Sequence, residues 1–314
     1  MKEHPRYPNV FKPIKIGATQ LKNRIFVPAH TTNFGENNLP SKRHLGYHKA
    51  RALGGAGLII FEAIRVHRSS LGRSQGVNGY EREVIPKFRE IAKEVQGSGC
   101  GLFGQIIHLG RHIDGSFART PAWSASAIPW SATAPTPHAM TKSEIRKVII
   151  AHGQVAENLL ESGLDGIEVA MGHGHLLQQF LSPASNIRKD DYGGSLENRM
   201  RFSLETLHEI RRVIGPSATL GIRISGDEYL PGGLNIEAMC EIIKIVIGEV
   251  KIDFVHVSHS AYHGSYTVST QMADMAFQRQ QFQHLPRAIS TAVASVKKKL
   301  VVMAVCRYQT IDDA

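Results

Sequence analysis

Short apolar segments rich in β-branched residues alternate with helical patterns along this chain, and that alternation restricts the folds open to it. Strands are predicted at residues 24–29, 56–63, 101–107, 166–170, 218–224, 254–258 and 300–305. Helices are predicted between them at residues 41–54, 85–98, 141–162, 196–214, 235–250 and 285–298. Strands that are buried on both faces and alternate with helices indicate a parallel sheet.

Seven predicted strands separated by six helices within 314 residues fit one (β/α)8 barrel better than an open sheet. No GxGxxG motif follows the first strand, which argues against a dinucleotide-binding sheet. We therefore predict an α/β fold of the TIM-barrel type, as a single domain over residues 1–314. The barrel is expected to be truncated before its eighth strand, because the sequence reaches Ala314 where a seventh helix would begin.

Two local patterns refine this outline. Residues 119–141 are rich in Pro, Ser and Ala and predict a long excursion between the third strand and the next helix. Thr141 and Glu144 have the spacing of a capping box, which predicts the start of that helix.

Composition excludes several classes of protein. The net charge of +10 raises nucleic acid as a partner, but Lys and Arg are scattered and the longest basic run is residues 297–299, so none is expected. Cys100, Cys240 and Cys306 have neither a disulfide framework nor the spacing of a zinc or iron–sulfur site. No segment resembles a signal peptide or approaches about 18 consecutive apolar residues, which predicts a cytoplasmic protein without a membrane span.

In a TIM barrel, the chemistry lies at the carboxyl ends of the strands. Polar or small residues occupy these positions on every predicted strand. They are Ala29 and His30, Glu62 and Ala63, Gln105 and His108, His173 and His175, Arg223, Ser258 and His259, and Arg307. The histidines raise a metal site as an alternative, but they lack carboxylates or thiolates at ligand spacing, so no metal is expected.

Several of these segments resemble the Old Yellow Enzyme-like NADH:flavin oxidoreductases. The strongest is GHLLQQFLSP at residues 174–183, which continues through NIR at 186–188 to DYGGSLENR at 191–199 and RF at 201–202. FKPIKIG at 11–17 and QIIHLGR at 105–111 are also similar to the family. The resemblance covers nearly the whole chain and implies a barrel that binds FMN and transfers hydride to or from a small-molecule substrate.

An isoalloxazine ring needs hydrogen-bond partners along its pyrimidine edge and a cation near N1 and O2. The resemblance assigns these two roles to Gln105 and Arg223, whose chemistry suits them. An internal salt bridge is the alternative for Arg223. By the same resemblance, Pro28, Ala29, His30 and Ala63 line the cofactor, with plain barrel packing as the alternative for the two alanines. His30 stands where trimethylamine-type members carry a tethering Cys, so noncovalent FMN is expected.

The FMN phosphate is expected near the end of the seventh strand. Where the family has Gly-Arg, this chain has Cys306 and Arg307. Arg307 retains the charge that pairs with phosphate. Cys306 adds a side chain where a backbone N–H should face the phosphate, and the second Gly-Arg of an eighth strand is not in the sequence.

The substrate side departs from the ene-reductases of the family. Their paired oxyanion donors correspond to Ala170 and His173 here, and their proton-donating Tyr corresponds to His175. The segments 28–33 and 62–67 resemble the N-methyl amine demethylases instead. The leading hypothesis is therefore oxidative N-demethylation of an amine or amino acid, with His173, His175 and Arg223 as catalytic residues.

Several alternatives remain open from the sequence. They are an NAD(P)H-dependent ene-reductase of the 2-enoate or dienoyl-CoA type, and a noncatalytic barrel that no longer holds FMN. Tyr262 and Glu62 are candidates for binding a cationic amine, with a surface loop and a buried salt bridge as their respective alternatives. The redox partner is NAD(P)H or an electron-transfer protein, and a homo-oligomer is also open.

Overall fold

The computed structural model describes residues 4–113 and 115–313. Its main sheet contains the seven predicted strands, each parallel to its neighbours and ordered around a curved wall as in a TIM barrel. The predicted fold class is thereby confirmed. The strands in chain order are β1 Ile14–Ile16, β2 Thr19–Leu21, β3 Phe26–Val27, β4 Leu58–Arg65, β5 Val77–Asn78, β6 Gly101–Ile107, β7 Trp123–Ser124, β8 His138–Ala139, β9 Gly166–Met171, β10 Thr219–Ser225, β11 Phe254–Ser258 and β12 Val301–Ala304.

The helices that follow the barrel strands begin and end within a few residues of the predicted bounds. The capping box at Thr141 and Glu144 is confirmed, and Ser41 forms a second one with the His44 side chain. In the described ranges, no helix is both long and apolar enough to cross a membrane. The helices are α1 Pro8–Phe11, α2 Lys42–Leu53, α3 Val84–Gln96, α4 Gly115–Ala118, α5 Lys142–Glu161, α6 Leu176–Leu181, α7 Leu196–Ile214, α8 Ile236–Glu249, α9 Gly264–Gln271 and α10 His284–Ser295.

The amino end of the barrel is closed by an antiparallel hairpin of β1 and β2 that the sequence reading did not predict. Ile16 and Leu21 of this hairpin are buried against Phe103 and Phe254, whose rings fill the interior. Gly221 on β10 is required here, because a Cβ at this position would lie within 2.3 Å of the Phe254 ring. The plug blocks access to the interior from the amino end of the barrel.

The wall of the barrel is interrupted between its first and seventh strands. Strand order runs β12-β11-β10-β9-β6-β4-β3, and β3 and β12 make no pairing with each other in the described residues. A cavity of about 720 Å³ lies along this gap, lined by Phe26 and Pro28 on one side and by Met303, Cys306 and Arg307 on the other. This is the place of the eighth strand, as expected from the sequence.

The packing between the strands and the outer helices contains one buried histidine without a hydrogen-bond partner. His48 on α2 is 1% exposed, and neither of its ring nitrogens has a partner. Its ring lies 4.9 Å from that of Phe61. Burial, followed by the neighbouring His44, lowers the pKa of His48 to about 3. The imidazole is therefore neutral at pH 7, and protonating it in the folded state costs stability.

We predict that His48→Leu reduces the acid sensitivity of the protein. The folded-state pKa lies below the unfolded value near 6.5, so the contribution is intact above pH 6.5 and declines as the pH falls towards 3. Between pH 7 and pH 5 the wild type should lose about 2 kcal/mol that the variant does not lose. Urea unfolding at both pH values measures this difference. His208→Leu, at an exposed site, is the control and should lose as much as the wild type.

Candidate active site

A layer of polar side chains crosses the barrel interior above the apolar plug. Glu168 on β9 is fully buried, and its two carboxylate oxygens have different partners. Gln105 on β6 donates from Nε2 to Oε1 at 2.7 Å. His256 on β11 lies on the other side, with Nδ1 2.7 Å from Oε2. The three side chains thus form one hydrogen-bonded row across strands β6, β9 and β11.

Arg223 supplies the cation of this layer. It lies on β10 in register with Ala170 and His256, and its Nη1 donates to the carbonyl oxygen of Ala29 at 2.8 Å. Its Nε is buried and has no hydrogen-bond partner among the described residues. Burial lowers the pKa of Arg223, and the nearby Glu168 charge opposes that shift. Glu168 is hydrogen-bonded to His256 and, within the part of the chain that the structure describes, makes no ion-pair contact with Arg223. The simple salt bridge considered from the sequence is therefore absent there.

The open hydrogen-bonding positions in this layer match those of an isoalloxazine ring. Gln105 uses Nε2 on Glu168, and its Oε1 makes no hydrogen bond within the described residues. Arg223 keeps Nε unpaired and remains a cation at neutral pH. An amide oxygen and a guanidinium N–H within one layer have the hydrogen-bonding chemistry that suits an N–H group and an electron-rich edge. The residues present therefore fit the flavin ring.

Next to this layer is a group of aromatic side chains that we call the histidine pocket, formed by His112, Trp130, His173, His175 and Tyr262. The His175 ring centroid is 5.4 Å from that of His112, 6.0 Å from that of Tyr262 and 6.3 Å from that of His173. All five side chains are half-buried. The structure thus brings the two predicted catalytic histidines together and adds three rings that the sequence reading did not join to them.

Both predicted catalytic histidines are held uncharged. Burial lowers the pKa of His175 to about 4, with a hydrogen bond to the Leu109 backbone partly opposing and the Arg223 charge adding to the shift. Burial and the charge of Arg223 hold the pKa of His173 well below its ordinary value. At pH 7 neither ring carries a proton to donate as an imidazolium.

Hydrogen bonds to neighbours fix the orientation of these rings. His173 has a left-handed backbone with φ of 57°, and its Nε2 lies 2.7 Å from the Ser258 hydroxyl. His112 donates from Nε2 to the carbonyl oxygen of Tyr262 at 2.9 Å, which makes its Nδ1 an acceptor. His175 Nδ1 lies 3.4 Å from that acceptor, a weak contact.

The predicted residues on the first two barrel strands have different surroundings. Ala29 is buried and gives its carbonyl to Arg223, while Pro28 borders the gap beside β12. Ala63 is half-buried at an irregularity in the pairing of β4 with β6, a feature that re-aims side chains near sites. His30 is exposed and bonds through Nε2 to the Tyr47 hydroxyl. His30 therefore lies at the rim rather than within the polar layer.

Glu62 on β4 has a structural role, because it contacts α2 and the segment before it. It is 2% exposed, pairs with His44 Nε2 at 2.9 Å and accepts a hydrogen bond from the backbone N–H of Thr32. Both oxygens are therefore committed to the packing of β4 against α2, and the buried salt bridge weighed for this residue is the correct interpretation. Tyr262 contacts His175 and is part of the pocket instead.

Cys306 and Arg307 lie after the end of β12, beside the gap. Cys306 has a backbone φ of 94°, in the left-handed region that favours glycine. Arg307 is half-buried, and its Nε is buried without a partner. An unpaired guanidinium N–H is suited to a phosphate oxygen. Burial raises the pKa of the Cys306 thiol, so it stays protonated at neutral pH.

The sequence reading missed Glu168 and His256, because it ranked residues at strand ends. The available signal was an acidic residue and a histidine inside otherwise apolar strands, at GIEVA and FVHVS. A polar residue buried within a strand must have a partner, so two such residues in one barrel point to each other. Among the described residues, no group of three or more His, Cys, Asp or Glu side chains is arranged to hold a metal ion.

A known protein family matches nearly the whole chain. The model of the NADH:flavin oxidoreductase / NADH oxidase family matches residues 9–314, so the chain belongs to that family. The resemblance inferred from residues 174–202 is thereby confirmed. Membership of this family implies a flavin cofactor, FMN.

Relatives with different names match at similar identity. An N,N-dimethylglycine/sarcosine dehydrogenase of Chromohalobacter salexigens is 33% identical over 291 residues, 91% of this chain and 42% of that protein. A probable N-methylproline demethylase of Rhizobium meliloti is 31% identical over 252 residues, 79% of this chain and 37% of that protein. An NADPH dehydrogenase of Clostridium acetobutylicum is 34% identical over 252 residues, 79% of this chain and 73% of that protein. The chain spans less than half the length of the first two.

Solved structures share the fold over nearly the whole chain. A 2-naphthoyl-CoA reductase in complex with 2-naphthoyl-CoA superposes with a TM-score of 0.89, covering 98% of this chain and 48% of that one at 26% identity. Morphinone reductase superposes with a TM-score of 0.78, covering 95% of this chain and 87% of that one at 20% identity. The second likeness bears on the fold alone.

We predict that Cys306→Gly stabilises the protein. Glycine adopts the left-handed backbone of this position without the cost that a Cβ carries, so the free energy of unfolding should rise by about 1 kcal/mol. Urea unfolding measures the change. Cys306→Ala is the matched control, since it removes the thiol but keeps the Cβ. An equal gain in both variants would assign the effect to the thiol and contradict the backbone explanation.

Proposed function

We propose that this member of the NADH:flavin oxidoreductase family binds FMN noncovalently and transfers hydride between the flavin and a small organic substrate. Gln105 and Arg223 would hold the ring, Ala29 and Ala63 would border it, and Arg307 would pair with the phosphate. The bound flavin would supply the hydride-accepting N5. The unpaired Nε atoms of Arg223 and Arg307 support this arrangement, because a buried guanidinium N–H without an acceptor is costly unless a ligand provides one.

We propose that the substrate is a small N-methylated amine or amino acid, which the flavin oxidises to an iminium that water then hydrolyses. The observation that carries this choice is the depressed pKa of His175, about 4. A neutral imidazole stands where the ene-reductases of the family place an acidic Tyr, so the pocket has no strong proton donor at that position. Uncharged imidazoles beside Trp130 and Tyr262 accept a cationic or N–H group without repelling it.

His173 and His175 would therefore position the substrate rather than store a proton. The Ser258 hydroxyl lies 2.7 Å from Nε2 of His173 and fixes the orientation of its ring, and the backbone N–H of His173 donates to the Ser225 hydroxyl. The relatives named for dimethylglycine, sarcosine and N-methylproline support an amine of this class.

Ene-reduction is the second candidate, supported by the NADPH dehydrogenase relative and by the retention of His173. It requires two donors on a developing oxyanion and one proton donor. Ala170 supplies no side-chain donor at the first position, and loss of one oxyanion donor typically costs about 10²-fold or more in rate. In ene-reduction, NAD(P)H would reduce the flavin. In amine oxidation, the substrate would reduce the flavin and an electron acceptor would reoxidise it.

The decisive prediction concerns the visible spectrum of the purified protein. It should bind FMN, absorb near the ordinary flavin band at about 450 nm, and bleach under anaerobic conditions when N-methylproline, sarcosine or dimethylglycine is added. Bleaching by NADPH alone, with no response to these amines, would support ene-reduction instead. A protein that remains colourless with added FMN would contradict the flavin assignment and favour the noncatalytic barrel.

We further predict that His175→Tyr shifts the activity from amine oxidation towards enone reduction. The phenol restores a proton donor, a role that contributes about 10²–10⁴-fold where it operates. NADPH-dependent reduction of 2-cyclohexenone should increase by at least about tenfold, while bleaching by the amine slows. His208→Tyr, at an exposed site, is the control. An unchanged ratio of the two activities would remove His175 from the explanation of substrate choice.

A further inference from the structure

Glu168 is the buried anion around which the polar layer of the barrel is organised. It is fully buried, and its two oxygens accept from different donors: Gln105 Nε2 at 2.7 Å and His256 Nδ1 at 2.7 Å. Its pKa is lowered despite burial, because His256, Arg223 and Gln105 together favour the carboxylate. Nothing in the hydride-transfer proposal uses this group directly.

The hydrogen bond from Gln105 determines how its amide is turned. A carboxylate only accepts, so it selects the NH₂ end of the Gln105 side chain and leaves Oε1 as the free end. Without the carboxylate, the two ends of an amide differ little in shape, and nothing else bonded to Gln105 in the described residues distinguishes them. Glu168 thus sets whether Gln105 presents an acceptor or a donor to a ligand.

His256 completes the row on the other side. Burial lowers its pKa, so the ring is neutral, and the carboxylate requires the proton to be on Nδ1. Its Nε2 is then a lone pair, buried and without a partner, and its ring packs edge-on against Phe26 at 5.2 Å. This imidazole donates to Glu168 without neutralising its charge.

The same charge acts on Arg223. Glu168 favours the guanidinium cation, and Arg223 favours the carboxylate, although the two are not in ion-pair contact in the described residues. Arg223 therefore retains its unpaired Nε for a ligand while its charge is balanced from a distance. A direct bond between them would have consumed that donor.

We propose that Glu168, held as a carboxylate by His256, is a positioning residue that fixes the Gln105 amide with its acceptor towards the flavin ring and balances the charge of Arg223 at the ring edge. The inference rests on the proposed flavin site. It adds two residues that act through Gln105 and Arg223 rather than by touching the ring.

Glu168→Gln tests the arrangement with little change of shape. One of the two carboxylate oxygens becomes an NH₂ donor, so the residue that faces it, Gln105 or His256, must turn an acceptor towards it. The probe is riboflavin, which has the ring but no phosphate, so the outcome does not depend on Cys306 or Arg307. We expect riboflavin affinity, measured by fluorescence quenching, to fall roughly ten- to a hundredfold in this variant.

A double-mutant cycle with Gln105→Ala separates positioning from general damage. If Glu168 acts through Gln105, the double variant binds riboflavin about as weakly as Gln105→Ala alone. Additive losses would overturn the proposal. The midpoint potential of bound riboflavin gives a second readout: removing the negative charge near Arg223 should raise it, and an unchanged potential would contradict the charge-balancing role.

A third measurement, the tautomer of His256, needs neither bound flavin nor a variant of Glu168, and riboflavin binding by two His256 variants accompanies it. In ligand-free protein labelled with ¹⁵N-histidine, His256 should show the neutral Nδ1–H tautomer, assigned by its loss in His256→Asn. Asn retains an N–H donor, so this variant should keep riboflavin affinity within a few-fold, whereas His256→Leu should lose it. An Nε2–H tautomer would overturn the inference. Failure of the wild type to bind riboflavin or FMN, with the Nδ1–H tautomer present, would instead overturn the proposed function.

Discussion

The barrel must bury a guanidinium and a carboxylate without neutralising either. Arg223 and Glu168 lie within the same polar layer, and each favours the charged form of the other without ion-pair contact. Buried charges are tolerated only when hydrogen bonds and opposite charges surround them. Gln105, His256 and the Ala29 carbonyl provide those bonds. The apolar plug below excludes water from the amino side of this layer.

Much of the fold was predictable, because buried parallel strands read as short apolar runs and the outer helices carry ordinary start signals. The plug made by residues 14–21 was not predictable, because a three-residue strand is too short to show a periodic pattern in the sequence. Of the site, Gln105 and Arg223 were predictable from their place at strand ends. The hydrogen bonds that connect this layer through Glu168 and His256 were not predictable. They join strands that are far apart in sequence, and only the folding of the sheet into a barrel wall brings those strands together.

The positions at which this chain differs from the family pattern lie beside the gap between β3 and β12. Pro28 borders it on one side and Cys306 and Arg307 on the other, so one edge of the proposed cofactor site and its phosphate end share this boundary. Cys306 occupies a left-handed backbone position that favours glycine, and a Cβ there adds strain where a phosphate needs close approach to the main chain. The residues proposed to hold the flavin ring, Gln105 and Arg223, are not affected by the strain at this boundary, because they lie on strands well inside the sheet.

The charge of Arg223 links the cofactor side to the substrate side. It is the second cause, after burial, of the depressed pKa of His173, and it contributes to that of His175. A cation that favours a reduced, anionic flavin therefore also keeps the neighbouring imidazoles neutral. Neutral imidazoles suit a substrate that delivers hydride as an amine and leaves as a cation, and they do not suit one that must receive a proton. In the proposed function, the same buried charge would favour reduction of the flavin by an amine over transfer of hydride to an enone.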